Sequence, residues 1–270
     1  MSEPPVEEEF REFMPEPVQR RRRLSRSVFV LPSIFTVGNI FCGYYAILLT
    51  MYGGFDAAAK AIGIAIVLDM LDGRIARLTN STSGFGLQLD SLADVISFGI
   101  APSILALVWG LGASGVDQRL AWIAAFTFTI CGAMRLARFN VQAGNLKYFV
   151  GLPIPAGGGA IAAVVHFFPE QVRSLAGGHL VVAGVFILGL LMVSTIRYSS
   201  LKQLTLGKKS HLTVLVIALL VALIFFLSKY VLLAIAGLYV LSGPASRIYA
   251  FVRRRKPGEE MALADSAQHH

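Results

Sequence analysis

The chain has 270 residues, 55% of them hydrophobic and 15% charged, with a formal net charge of +8. Soluble domains carry about 25% charged residues, so this composition, with a mean hydropathy of +0.66, excludes an ordinary soluble domain and indicates a polytopic membrane protein. The positive charge divides by membrane side, as set out below, which assigns it to topology and anionic-lipid contact and not to nucleic acid.

Residues 1–19 are acidic and contain proline, a composition expected to stay disordered. Residues 20–31 read RRRRLSRSVFVL. Leu24, Val28 and Phe29 beside these arginines fit either a juxtamembrane helix on the cytoplasmic surface or a plain orientation signal. The polar, acidic opening is unlike a cleavable signal, so the first spanning helix is expected to target the chain. Spanning helices need about 20 apolar residues. Eight are predicted, over 32–52, 57–79, 88–111, 120–140, 154–168, 179–196, 211–228 and 230–251, which makes an all-α helical bundle in the membrane. The fifth is short and rich in glycine. Ser228-Lys229-Tyr230 is read as a tight turn between the last two. The predicted organisation is a tail and juxtamembrane segment (1–31), one transmembrane domain (32–251) and a polar tail (252–270).

The basic residues test this topology. With both termini inside, 20 of the 24 lysines and arginines fall on cytoplasmic segments, and Lys60, Arg119, Arg173 and Lys229 fall outside. That asymmetry follows the positive-inside rule. Cys42 and Cys131 have no metal-ligand or disulfide spacing and read as small buried hydrophobes. His166, His179 and His211 are scattered and read as helix-end or loop residues.

The chain has 16 acidic residues, and only Asp69, Asp72, Asp90 and Asp94 lie inside the hydrophobic spans. A charge at bilayer depth costs about 3 kcal/mol or more, so such residues mark function by default. Asp69, Asp72, Gly73 and Ala76 are spaced i, i+3, i+4 and i+7, which places them on one helix face. Gly86, Asp90 and Asp94 step by four on the next helix. A short polar turn (Thr79 to Phe85) makes the two helices antiparallel neighbours whose acidic faces meet near their cytoplasmic ends. Clustered carboxylates call for a cation, and hard oxygen ligands suit Mg²⁺, Mn²⁺ or Ca²⁺. Four could hold two ions that clamp phosphate oxygens. Gly73, Ala76 and Gly86 either pack helices closely or let a ligand approach the backbone. Arg77 can pair with a phosphate in a two-pronged way. A membrane cation transporter could also use such acids, without evident need for the small residues and Arg77.

The pattern Asp69-x2-Asp72-Gly73-x2-Ala76-Arg77-x8-Gly86-x3-Asp90-x3-Asp94 matches the signature of the CDP-alcohol phosphotransferase family at eight fixed positions, and the chain resembles that family. Four further segments resemble its serine-accepting, membrane-integral branch: LPSIFTVGNIFCGYYAI (Leu31 to Ile47), MRLARFNV (Met134 to Val141), FVGLPIPAGGG (Phe149 to Gly159) and LMVSTIRYSSLK (Leu191 to Lys202). The resemblance covers about residues 28–250; the glycine run at 157–159 departs from a more alanine-rich stretch expected there. It implies a helical-bundle homodimer in the cell membrane, with the site facing the cytoplasm. It implies transfer of a phosphatidyl group from CDP-diacylglycerol to L-serine with release of CMP. It also implies two divalent ions (Mg²⁺ or Mn²⁺) on Asp69, Asp72, Asp90 and Asp94, and Asp94 as general base. Gly73, Ala76, Arg77 and Gly86 would contact CDP. Thr36 and Asn39 either bond between helices or touch the nucleotide. Arg135 and Arg138, with Asn140, either anchor the fourth helix or hold the acceptor carboxylate. Glycerol 3-phosphate, inositol phosphate or choline would be the alternative acceptors on the same scaffold.

Overall fold

Long apolar runs leave the backbone one economical solution in lipid, the helix that satisfies its own hydrogen bonds. The computed structural model describes residues 26–78, 84–142, 151–196, 198 and 228–247, and the regular structure among them is helical. In chain order the helices are α1 (Arg26–Met51), α2 (Phe55–Leu78), α3 (Gly84–Leu111), α4 (Gln118–Gln142), α5 (Ile154–Phe167), α6 (Leu175–Val193) and α7 (Ser228–Arg247). Five of them, α1, α3, α4, α6 and α7, are long and apolar enough to cross a membrane. α2 is long enough, but it carries the charges of Asp56, Lys60, Asp69, Asp72, Arg74 and Arg77. α5 has 14 residues, about 21 Å of helix, less than a hydrocarbon core of about 30 Å.

Six predicted spans therefore coincide with α1 to α6 and the last with α7. Of the span predicted over 211–228, all but Ser228 lies outside the described residues. One expectation is corrected: Ser228, Lys229 and Tyr230 are not a turn but helical residues of α7. Nothing in these three residues breaks a helix; neither Gly nor Pro is among them. At the other end, residues 26–31 are helical and run without interruption into the spanning part of α1.

α1 packs along α2, α4 along α6, and α5 against α2, while α3 threads between α1, α4 and α5. Phe98, Phe128, Leu152 and Ile154 are fully buried where α3, α4 and α5 meet. α3 is not a uniform helix. It widens into π turns at Val95–Ile100 and Leu107–Leu111. The chain re-enters the bundle at Gly151, whose φ of +84° suits glycine. A Cβ there would collide with the Met192 carbonyl. The Gly151 and Leu152 amides donate to the Ile196 and Leu191 carbonyls, at 2.8 and 3.0 Å, tying the start of α5 to the end of α6.

The far end of the bundle is closed by a polar bolt. His166, 5% exposed, lies in the last turn of α5. Its Nδ1 is 2.6 Å from Asp56 Oδ1 on α2, and its Nε2 is 3.0 Å from Ser228 Oγ on α7. Lys60 reaches the other Asp56 oxygen at 2.7 Å. Burial alone would raise the Asp56 carboxyl, but the hydrogen bonds and charges of Lys60 and His166 outweigh it and hold the group below its ordinary value. His166→Ala removes both ring contacts and should lower stability by about 1–3 kcal/mol. The expected readout is a lower melting temperature in detergent with unchanged activity per folded molecule.

Candidate active site

The opposite end of α2 and α3 carries the acids. The i, i+3 spacing on α2 and the i, i+4 spacing on α3 put each set of carboxylates on one stripe, and the packing of both segments on α1 brings the stripes together. One oxygen each from Asp69, Asp90 and Asp94 lies within 4.8 Å of the others. Asp72 is not part of that tight group. It is buried and accepts a hydrogen bond from the Thr36 hydroxyl of α1. It remains close enough to Asp69 and Asp90 for its charge to reach them.

The donor set suits a divalent cation. Three carboxylates in a partly buried site repel one another strongly at reduced dielectric, and no lysine or arginine forms an ion pair with them among the described residues. Asp94 is 9% exposed, and its Oδ1 is buried without a hydrogen-bond partner. Oxygen-only ligands match Mg²⁺ or Mn²⁺ better than softer metals.

Buried side-chain polar atoms without partners, among the described residues, fall on only three residues: Asn39, Asp94 and Arg135. Such groups are rare in native proteins and call for an explanation such as an absent ligand. Asn39 is 1% exposed and both atoms of its amide are unpaired. Its backbone carbonyl accepts from Ser97 Oγ at 2.9 Å, so it sits beside the part of α3 just past Asp94. Arg135 of α4 lies within electrostatic reach of Asp94 and of Tyr239 on α7. Among the described residues, α1, α3 and α4 thus each carry a buried polar atom without a partner, on Asn39, Asp94 and Arg135.

The remaining predicted residues divide. Gly73 and Gly86 are half-buried on the α2 and α3 stripes. Ala76 and Arg77 belong to the last turn of α2, and their side chains lie outside the described residues. Arg138 is exposed. Asn140 donates to Ser91 Oγ of α3 at 2.9 Å, which makes it a link between α3 and α4. Of the three residues expected at the acceptor, Arg135 is the one within electrostatic reach of Asp94. Sequence reasoning missed Tyr239 and Tyr198, whose rings lie 5.8 Å apart, with Tyr198 packed where Gly243 of α7 has no side chain. Tyrosines in apolar runs carry no spacing signal that would have singled them out.

The family model described as CDP-alcohol phosphatidyltransferase matches residues 29–195. The chain is 35% identical over 234 residues to the CDP-diacylglycerol–serine O-phosphatidyltransferase of Helicobacter pylori strain J99, covering 84% of this chain and 94% of that protein. It is 38% identical over 173 residues to the protein of that name from Methanocaldococcus jannaschii, covering 64% of this chain and 75% of the relative. It is 37% identical over 178 residues to the archaetidylserine synthase of Methanothermobacter thermautotrophicus, covering 64% and 70%. With the aspartate pattern seated on two antiparallel helices and the family match running through α1 to α6, the chain belongs to the CDP-alcohol phosphatidyltransferase family.

Proposed function

We propose that this protein transfers a phosphatidyl group from CDP-diacylglycerol to L-serine, giving phosphatidylserine and CMP. The observation that carries the reading is the Asp69–Asp90–Asp94 cluster with Arg135 within electrostatic reach of Asp94, both Asp94 and Arg135 holding a buried polar atom without a partner among the described residues. One half of the site suits a diphosphate and the other a small zwitterion. The relatives' names supply the same donor and acceptor classes.

Asp69, Asp90 and Asp94, with Asp72 steadied by Thr36, would hold Mg²⁺ or Mn²⁺, two ions per site by family resemblance. When bound, such ions supply charge neutralisation for the diphosphate and its leaving group. Gly73, Ala76 and Gly86 leave room for the nucleotide beside the backbone, and Arg77 and Asn39 supply donors to it. The Arg135 guanidinium holds the serine carboxylate. Asp94 takes the proton from the serine hydroxyl as its oxygen attacks the phosphorus bonded to the diacylglycerol. A new O–P bond forms there, the P–O bond to CMP breaks, and CMP leaves with the bridging oxygen. Direct in-line displacement needs no enzyme nucleophile, and none of the motif's eight fixed positions is a Ser, Cys or His.

Residues 32–251 form the catalytic membrane domain in this reading, with 1–31 and 252–270 as cytoplasmic tails, in a homodimer of the cell membrane. The positive-inside asymmetry supports placing the site on the cytoplasmic side, where serine and CMP are soluble and the lipid tails stay in the bilayer. An acceptor panel tests the chemistry. Purified protein with CDP-diacylglycerol should release CMP with L-serine and not with glycerol 3-phosphate, inositol phosphate or choline. Arg135→Gln should raise the serine KM by about 10- to 100-fold, the usual weight of a charged hydrogen-bonded contact, and leave the CDP-diacylglycerol KM near its starting value. Release with glycerol 3-phosphate in place of serine would reassign the acceptor.

A further inference from the structure

Asp94 is the last residue before the π turn of α3. That turn closes with the Ala101 amide bonded to the Ile96 carbonyl, five residues back. A π turn inserts about one extra residue into the helix, is costly to keep, and persists where surrounding packing demands it. Here the packing comes from two glycines on opposite sides. On α1, a Cβ at Gly43 would strike the Ser97 side chain and come to 2.7 Å from Ser97 Cα. On α5, a Cβ at Gly158 would stand 2.8 Å from the Phe98 carbonyl oxygen, 2.9 Å from Pro102 Cγ and 3.1 Å from Phe98 Cα. Each set of contacts includes backbone atoms, of Ser97 and of Phe98, which cannot rotate away as a side chain can. The Ser97 hydroxyl donates to the Asn39 carbonyl at 2.9 Å, and Thr129 of α4 donates to Gly99 at 3.4 Å. Ser97, Phe98 and Gly99 are all buried.

We propose that Gly43 and Gly158 are positioning residues that clamp the π turn and, through it, aim the Asp94 carboxylate at the acceptor. The inference rests on the reading of Asp94 as general base. Neither glycine touches the reacting groups. A methyl at either position drives the turn sideways, and the residue at its edge moves with it. Displacement by about 1 Å is enough to cost up to about 100-fold in rate.

The test compares four alanine variants of the full chain in the same membrane preparation, with kcat expressed per folded molecule. Gly158→Ala and Gly43→Ala should each lower kcat about tenfold or more, with the CDP-diacylglycerol KM within about twofold of the starting protein. Gly63→Ala, where nothing lies within 4 Å of the added Cβ, should change nothing. Gly189→Ala is the control for packing alone. Its Cβ would stand 3.1 Å from Phe128 Cα, so it should lower stability without lowering kcat. A double-mutant cycle gives a readout that a purely structural role would not move. Added to Asp94→Asn, Gly158→Ala should cause no further loss of kcat, because its effect passes through the group already removed. If one glycine variant fails to accumulate, the other asks the same question from the opposite helix. If Asp94→Asn turns over normally, the base reading itself fails. If Asp94→Asn is inactive while Gly43→Ala and Gly158→Ala keep normal kcat, lose only as much as Gly189→Ala, or add their full loss to that of Asp94→Asn, the positioning role is wrong.

Discussion

Asp94→Asn should lower CMP release at saturating serine by about 10²–10⁴-fold, the usual contribution of a positioned general base, while binding of a CDP-lipid analogue stays within a few-fold. The substitution keeps shape and volume, so it tests proton chemistry and not packing. Asp94 is suited to the role because its Oδ1 is buried and unpartnered and because Arg135, the proposed carboxylate anchor, lies within electrostatic reach. A base acts on the acceptor proton only in the transition state, so its loss should appear in kcat and not in ground-state binding. Binding is read by calorimetry and turnover by CMP release. Near-normal turnover would rule out the base assignment. Loss of lipid binding as complete as in Asp69→Asn would make Asp94 chiefly a cation ligand and send the search for the base elsewhere.

The acids were legible in the sequence because helical spacing is rigid. Asp69 and Asp72 at i, i+3 and Asp90 and Asp94 at i, i+4 can only form stripes, and a short turn between them can only give antiparallel helices. Asp72 shows the limit of that reasoning: spacing placed it on the acidic face but could not reveal that Thr36 would engage it. Arg135, Arg138 and Asn140 show the same limit on α4. Their positions along the helix were clear, but which one faced Asp94 depended on how α4 rotates against α3, and Ser91 took Asn140 instead. The π turn left no trace that periodicity could detect, since a single added residue shifts an apolar stripe that is apolar all round. The bolt at the far end joins Asp56, His166 and Ser228 across a sequence separation no local pattern spans. The break placed at Ser228 to Tyr230 failed because a dip in hydropathy was read as a turn, although lysine and tyrosine are at home in a helix end near the membrane surface.

Removing divalent ions should abolish activity entirely, and restoring Mg²⁺ or Mn²⁺ should return it. The reason is electrostatic. Asp69, Asp90 and Asp94 bring oxygens within 4.8 Å of one another, and Asp72 adds a fourth negative charge nearby. The diphosphate of the donor would bring further negative charge to the same place. At an effective dielectric of about 20, two unit charges about 4 Å apart repel by about 4 kcal/mol. Several such pairs exceed what the small residues and Arg77 could offset, so the donor cannot be held in line without added positive charge. Asp69→Asn should act in the same direction, weakening Mn²⁺ binding and CDP-lipid binding together. A binding titration followed by the paramagnetic signal of Mn²⁺ reads the first and also counts ions per chain. Calorimetry reads the second. Two experiments separate this account from its rivals. Full CMP release in excess EDTA would mean that the carboxylates are neutralised by protons and that no cation takes part. Mn²⁺ flux into sealed vesicles without CMP release would move the cluster from a transferase site to a transport path, because a transporter needs the ligands but not the acceptor contact proposed for Arg135.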